Sequence, residues 1–190
     1  MSAIAQKIGL ISPEEYLEGE LSSEVRHEYL DGYVYTRADA SDDHSRVAGN
    51  ILSELRERLR GKVCEPFGSD MKLKLPPGFG HVFYYPDAIV ACDPTDRSRY
   101  YRERPTVIFE VVSPQTERTD RREKAFAYRE ISTVQDYIIV AQDRVAMTVL
   151  HRAEEGWRSE ALEGAEATLK LPVIGVEIPF ARIYERTALV

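Results

Sequence analysis

Asp87 and Glu110 are the residues of this chain whose surroundings are hardest to explain without chemistry. Asp87 opens the run Asp-Ala-Ile-Val-Ala-Cys, and Glu110 is flanked by Val107-Ile108-Phe109 and Val111-Val112 in the most hydrophobic stretch of the sequence. A carboxylate carried into an apolar strand costs several kcal/mol unless its charge is matched, and neither run contains a basic partner. Two such carboxylates on adjacent central strands, facing the same side, form a hard-oxygen site suited to Mg²⁺ or Mn²⁺, cations that keep waters for a substrate phosphate. The competing reading is that Asp87 caps a turn after Pro86 and Glu110 pairs with an arginine from a neighbouring element.

Lys124 adds an ammonium. Asp120, Lys124 and Tyr128 recur every four residues and share a helical face with Ala127 and Ile131, the apolar and inward one. An inward lysine commonly lays its stem on the core and keeps its head in water; beside two carboxylates and a phosphate it can instead offset charge on the phosphoryl oxygens. His44, near the start of a long helix, has its protonation disfavoured by the helix dipole, which leaves a neutral imidazole able to accept a proton or a hydrogen bond, or else a structural histidine. Ser113 lacks a Gly-x-Ser-x-Gly elbow, there is no glycine-rich phosphate loop, and Pro76-Pro77-Gly78-Phe79-Gly80 reads as an exposed loop.

These residues need a sheet and a helix to bring them together, and the pattern supplies both. Ser12-Pro13-Glu14-Glu15 predicts a capped helix to about Leu21, and Asp31-Gly32 predicts a hairpin turn. The spacing of Val47, Ala48, Ile51, Leu52, Leu55 and Leu59 predicts an amphipathic helix from Asp42 to Arg60, ended by Gly61. Strands are expected over 63–67, 71–75, 82–92 and 106–112. Pro114 then breaks the ladder, and a helix is expected from about Asp120 to Ile131. A hairpin follows over 135–141 and 145–152, then a short strand at 168–171 and a closing helix within 176–184. The reading is one α/β domain over residues 1–190, with a central mixed sheet flanked by helices.

A chain of 190 residues with 43% hydrophobic and 30% charged residues has the composition of a folded domain, not of a disordered one. The first residues contain neither a signal-peptide pattern nor a run long enough to span a membrane, so no membrane partner and a cytoplasmic location are expected. Cys64 and Cys92, far apart in apolar contexts, are expected to be buried thiols of a reducing compartment. A net charge of -7 argues against coating nucleic acid by bulk electrostatics. Residues 96–129 are the exception, with nine Arg or Lys against six acids. There Arg97, Arg99, Arg102, Arg104, Arg118, Arg121 and Arg122, with Tyr100 and Tyr101, can hold a phosphate backbone and its bases, or can form a solvated loop laced with Asp96, Glu103 and Glu117.

Taken together, Tyr85-Pro86-Asp87, Phe109-Glu110-Val111-Val112-Ser113-Pro114, Thr116, Asp120, Lys124 and Tyr128 resemble the Uma-two restriction-endonuclease family of the PD-(D/E)XK nuclease superfamily. The resemblance takes in Glu28 with Asp31-Gly32, His44 and Tyr137, so it covers roughly residues 10 to 150. It implies a restriction-endonuclease-like core and a metal-dependent endonuclease that hydrolyses phosphodiester bonds, most naturally in DNA, with nucleic acid as partner and a homodimer for duplex cleavage. Asp87 and Glu110 would hold Mg²⁺ (or Mn²⁺), the carbonyl of Val111 would add a ligand, and Glu28 would reach the metal directly or through water. Lys124 would orient water or stabilise the transition state, and Arg118, Arg121, Tyr128 and His44 would meet the substrate. The chain departs from the strict superfamily motif at Val112, where a lysine is expected; Lys124 on the following helix would take its place. An alternative is a catalytically inactive scaffold that keeps the fold for DNA or protein binding.

Overall fold

A computed structural model of the chain describes residues 10–37, 40–113 and 123–190. Helix α1 (Pro13–Ser22) starts at the expected capping box, with Ser12 Oγ accepting from Glu15 N and Glu15 Oε2 accepting from Ser12 N. Strands β1 (His27–Leu30) and β2 (Tyr33–Thr36) pair antiparallel about the Asp31-Gly32 turn, whose φ values of 47° and 100° fit a tight hairpin. A side chain at Gly32 would also collide with Leu10, 2.6 Å from the place of its Cβ. Helix α2 (Asp42–Leu59) is capped by Ser41 and ends as the spacing predicts, with Gly61 at φ 76° two residues past its last turn.

The expected strand over 82–92 is two strands, and this break organises the molecule. Val82–Tyr84 (β5) joins a five-stranded sheet in the order β2-β1-β5-β4-β7, with β4 Lys72–Lys74 and β7 Tyr101–Arg102. Ala88–Ala91 (β6) joins a six-stranded sheet in the order β11-β10-β9-β8-β6-β3. Its other strands are β3 (Glu65–Gly68), β8 (Pro105–Val112), β9 (Asp136–Ala141), β10 (Ala146–Ala153) and β11 (Gly156–Glu163). Pro86 has no N–H to give to a ladder, so the chain leaves one sheet and enters the other across Tyr85-Pro86-Asp87. Strands β8 and β9 run parallel, and the described part of their connection contains helix α3 (Ala125–Arg129).

Three other expectations are corrected, and one strand carried no sequence signal. Residues 176–184 split into β13 (Val176–Pro179), paired with β12 (Thr168–Leu171), and the short helix α4 (Phe180–Ile183); the alternation of buried Val176 and Ile178 with exposed Glu177 and Pro179 is a strand period. β11 lacked such a signal because it is an edge strand whose two faces are mostly exposed. β7 lies within the expected basic loop. Cys64 and Cys92 are a disulfide, not free thiols: Glu65 pairs with Ala91, so the next residues outward face each other across β3 and β6. The argument from thiols to a reducing compartment therefore falls.

The six-stranded sheet packs one face on α2, β12, β13 and α4, through Val107, Phe109, Val111, Ile51, Leu55 and Phe180. Its other face meets α3 and the five-stranded sheet through Ile108, Val112, Tyr128, Leu73 and Tyr84. Helix α1 covers the far side of the five-stranded sheet with Tyr16 on Tyr29 and Phe83. Among the described residues no helix is long and apolar enough to cross a membrane.

Candidate active site

Asp87 lies at the passage between the sheets. Ala88 pairs with Phe109, which sets Asp87 beside the C-terminal half of β8. Its N–H donates to Phe109 O (3.1 Å), and its Oδ2 accepts from Val111 N (2.8 Å). His44 Nε2 from the first turn of α2 is 3.2 Å from Oδ2, and Arg37 from the end of the β1–β2 hairpin is 3.3 Å from Oδ1. Burial pushes the Asp87 carboxyl up, but the hydrogen bond and charge of His44, the charge of Arg37 and the Val111 N–H outweigh it and hold the pKa below the ordinary aspartate value.

Glu110 is 3% exposed on the face of β8 that carries Ile108 and Val112. Its Oε1 accepts from the Tyr128 hydroxyl (2.7 Å) and from Lys124 Nζ (3.3 Å). Lys124 Nζ also reaches Glu28 Oε1 at 3.2 Å and lies 5.4 Å from the centre of the Tyr84 ring. The helix after β8 thus turns Lys124 across the strand, as the four-residue spacing predicts, while Val112 stays in the core at 2% exposure. In a strand, carbonyls alternate between its two edges; Phe109 O bonds toward β6 and Val112 O toward Gln142, so the Val111 carbonyl is turned to the edge where Asp87 stands.

The donor set fits a hard divalent cation. Two nearly fully buried carboxylates and a main-chain carbonyl are all oxygen donors, while among the described residues no group of three or more His, Cys, Asp and Glu is placed to hold a metal ion by side chains alone. A hollow of about 410 Å³ lies elsewhere, lined by Lys74, Leu75, Glu103 and Ile131, among others, and includes neither carboxylate.

Several expected roles change. At His44 burial disfavours the charged ring, but the hydrogen bond and charge of Asp87 outweigh burial and lift its pKa above the ordinary histidine value. Tyr128 is fully buried with its hydroxyl on Glu110, which orients that carboxylate; burial and the Glu110 charge keep the phenol protonated. Asp96, expected to lace a solvated loop, is buried and accepts from the N–H groups of Glu103 and Arg104. Arg104 pairs with Asp93 (3.2 Å), and Arg102 bonds to Ser98 O and lies over the Phe67 ring, so these two arginines hold the loop together. Arg118 and Arg121, with Thr116 and Asp120, lie outside the described residues. Arg37 was not read from the sequence, since it meets Asp87 across fifty positions with no motif between them.

The model of the Uma2 family, "Putative restriction endonuclease", matches residues 13–181. Two uncharacterized proteins of Synechocystis sp. are similar to the chain: slr1290 is 32% identical over 94% of this chain and 93% of its own length, and sll1609 is 28% identical over 85% and 92%. The crystal structure of a "putative nuclease belonging to DUF820" from Anabaena variabilis has the same fold, with a TM-score of 0.72 at 15% identity, covering 92% of this chain and 97% of that one.

Proposed function

The chain belongs to the Uma2 family, and from that premise we propose that it is a metal-dependent endonuclease that hydrolyses phosphodiester bonds in DNA. The observation that supports the reading is that Asp87 accepts from the N–H of Val111, the residue after Glu110, while the Glu110 carboxylate pairs with the Lys124 ammonium, all near the passage from one sheet to the other. Asp87, Glu110 and the Val111 carbonyl would hold Mg²⁺ or Mn²⁺, with Glu28 contributing through a water. The cation would supply Lewis acidity at the phosphate and a water of lowered pKa.

The chain's own groups do the rest. Lys124, seated between Glu28 and Glu110, faces the phosphoryl oxygens and offsets the charge that builds on them. Tyr128 fixes the Glu110 carboxylate, and the Val111 N–H fixes Asp87. His44 and Arg37 balance the Asp87 charge from the side of α2 and the hairpin. Cleavage of duplex DNA on both strands calls for two such sites, and so for a homodimer.

A specific observation favours the non-catalytic scaffold: Arg37 pairs with Asp87, which also meets His44, and Lys124 pairs with both Glu28 and Glu110, so each carboxylate already has a basic partner. The test is incubation of the protein with DNA and with RNA in Mg²⁺ or Mn²⁺, beside Asp87→Asn, Glu110→Gln and Lys124→Met. Cleavage by the wild type that the three variants lose supports the nuclease; binding without cleavage under every metal supports the scaffold.

A further inference from the structure

Beside Asp87, two cations lie over one buried aromatic ring and a third stands close by. Arg37 lies 5.8 Å and Lys72 Nζ 5.2 Å from the centre of the Tyr85 ring, two residues before Asp87. Arg26 is tied to the same place: its carbonyl accepts from Arg37 N (3.1 Å), and its guanidinium reaches Asp70 (3.5 Å) in the turn that leads into Lys72. Arg37 also donates to Ser69 O of that turn (3.4 Å). The open end of the β1–β2 hairpin is thus clasped to the β3–β4 turn by basic residues.

The charge of Lys72 is poorly matched. The residue is 5% exposed, and among the described residues its ammonium has the Tyr85 ring but no ion pair or hydrogen bond. The nearby acid, Glu20, acts on Lys72 only through its charge, since its oxygens meet the Tyr85 hydroxyl (2.7 Å) and the His27 ring (2.7 Å). Burial lowers the Lys72 pKa and the Arg26 charge adds to this, against the opposing pull of Glu20. An ammonium at the edge of the core without a close counter-ion gains when an anion arrives. Arg37 has capacity to spare as well: its bonds to Asp87 and Ser69 are long at 3.3 and 3.4 Å, and a guanidinium has five donors. The side chains of Arg37 and Arg26 are 27% and 41% exposed, so the seat opens to solvent through its arginines.

We propose that Lys72, Arg37 and Arg26 form a second anion seat, which takes the backbone phosphate adjoining the one bound at Asp87 and Glu110. The proposal rests on the reading of that site as a phosphodiesterase. A point charge at the floor with two planar forks at the rim suits a tetrahedral oxyanion, and because Arg37 touches both Asp87 and the seat, it sets the spacing between the two phosphates. The seat reads backbone and not bases, so its contribution is the same for every sequence.

The test is binding of fluorescein-labelled duplex DNA without divalent metal, followed by fluorescence anisotropy over a range of salt, for wild type, Lys72→Met, Lys72→Arg and Arg26→Met. Lys72→Met is expected to weaken binding about five- to tenfold on unrelated sequences and to reduce the salt slope by about one phosphate contact. Lys72→Arg restores both, and exposed Arg26→Met gives a smaller loss. Wild-type affinity and slope in both methionine variants, with unchanged melting temperatures, overturn the seat, as does failure of the wild type to bind DNA. A parallel cleavage assay separates the two ideas: binding that depends on Lys72 without any cleavage defeats the nuclease reading alone, and cleavage with Lys72-independent binding defeats the seat alone.

Discussion

Asp87 and Asp136 stand at opposite ends of β8, Asp87 beside Val111 and Asp136 paired with Val107. Both are 4% exposed and both touch a histidine, yet their carboxyls move in opposite directions. Asp87 collects His44, Arg37 and the Val111 N–H, and these donors overcome burial. Asp136 has the His151 ring at 2.6 Å on one oxygen, while its other oxygen is buried with no hydrogen-bond partner among the described residues. There burial dominates and raises the pKa in spite of the hydrogen bond and charge of His151. Burial at one depth in one sheet therefore does not make a functional carboxylate. What distinguishes the Asp87 end is that a helix start and a hairpin end converge on it with donors, so the charged form persists at neutral pH.

The sharpest way to break this contrast is activity. Asp87→Asn and Glu110→Gln are each expected to lower DNA cleavage in Mg²⁺ by about a thousandfold or more, several kcal/mol of transition-state stabilisation, whereas Asp136→Asn leaves the turnover rate within about twofold; equal losses at both ends would erase the distinction. Next in size is stability in metal-free buffer at pH 7. Asp87→Asn leaves Arg37 and His44 without their anion and is expected to cost about 3 kcal/mol in urea denaturation.

A smaller effect sharpens the Glu110 side. Tyr128→Phe removes one buried hydrogen bond to a carboxylate and should cost about 1–3 kcal/mol, with loss of cleavage only to the extent that Glu110 turns away. A value near zero would mean that Glu110 is held by other contacts.

The smallest effect is a pH dependence whose sign differs between the ends. The Asp87 pKa is depressed in the fold, so its stabilisation is present above the ordinary aspartate value of 3.8 and fades as pH falls through its lower folded pKa. The Asp136 pKa is raised, so the folded state binds more protons than the unfolded one just above 3.8, and its contribution falls as pH rises through that window. Asp136→Asn should remove the second slope and gain stability at neutral pH, at about 1.4 kcal/mol per pKa unit. A loss of stability at pH 7 would show that the His151 pair outweighs burial.

The sequence by itself determined the local elements that have local causes. The capping box at Ser12, the Asp31-Gly32 turn and the apolar stripe of α2 are each written within a few neighbouring residues, and each is present. It also marked Asp87, Glu110 and Lys124, because a charge inside an apolar run, or a lysine on an inward face, is a conflict visible in one dimension. Only the tertiary structure decided what resolves those conflicts. Arg37 reaches Asp87, Glu28 reaches Lys124 and Cys64 meets Cys92 because two sheets change partners at Pro86 and the chain folds back across them. Such contacts depend on register and sheet order, which no short pattern encodes. For the same reason Val112 stayed in the core while Lys124, fourteen residues beyond Glu110, supplied the ammonium.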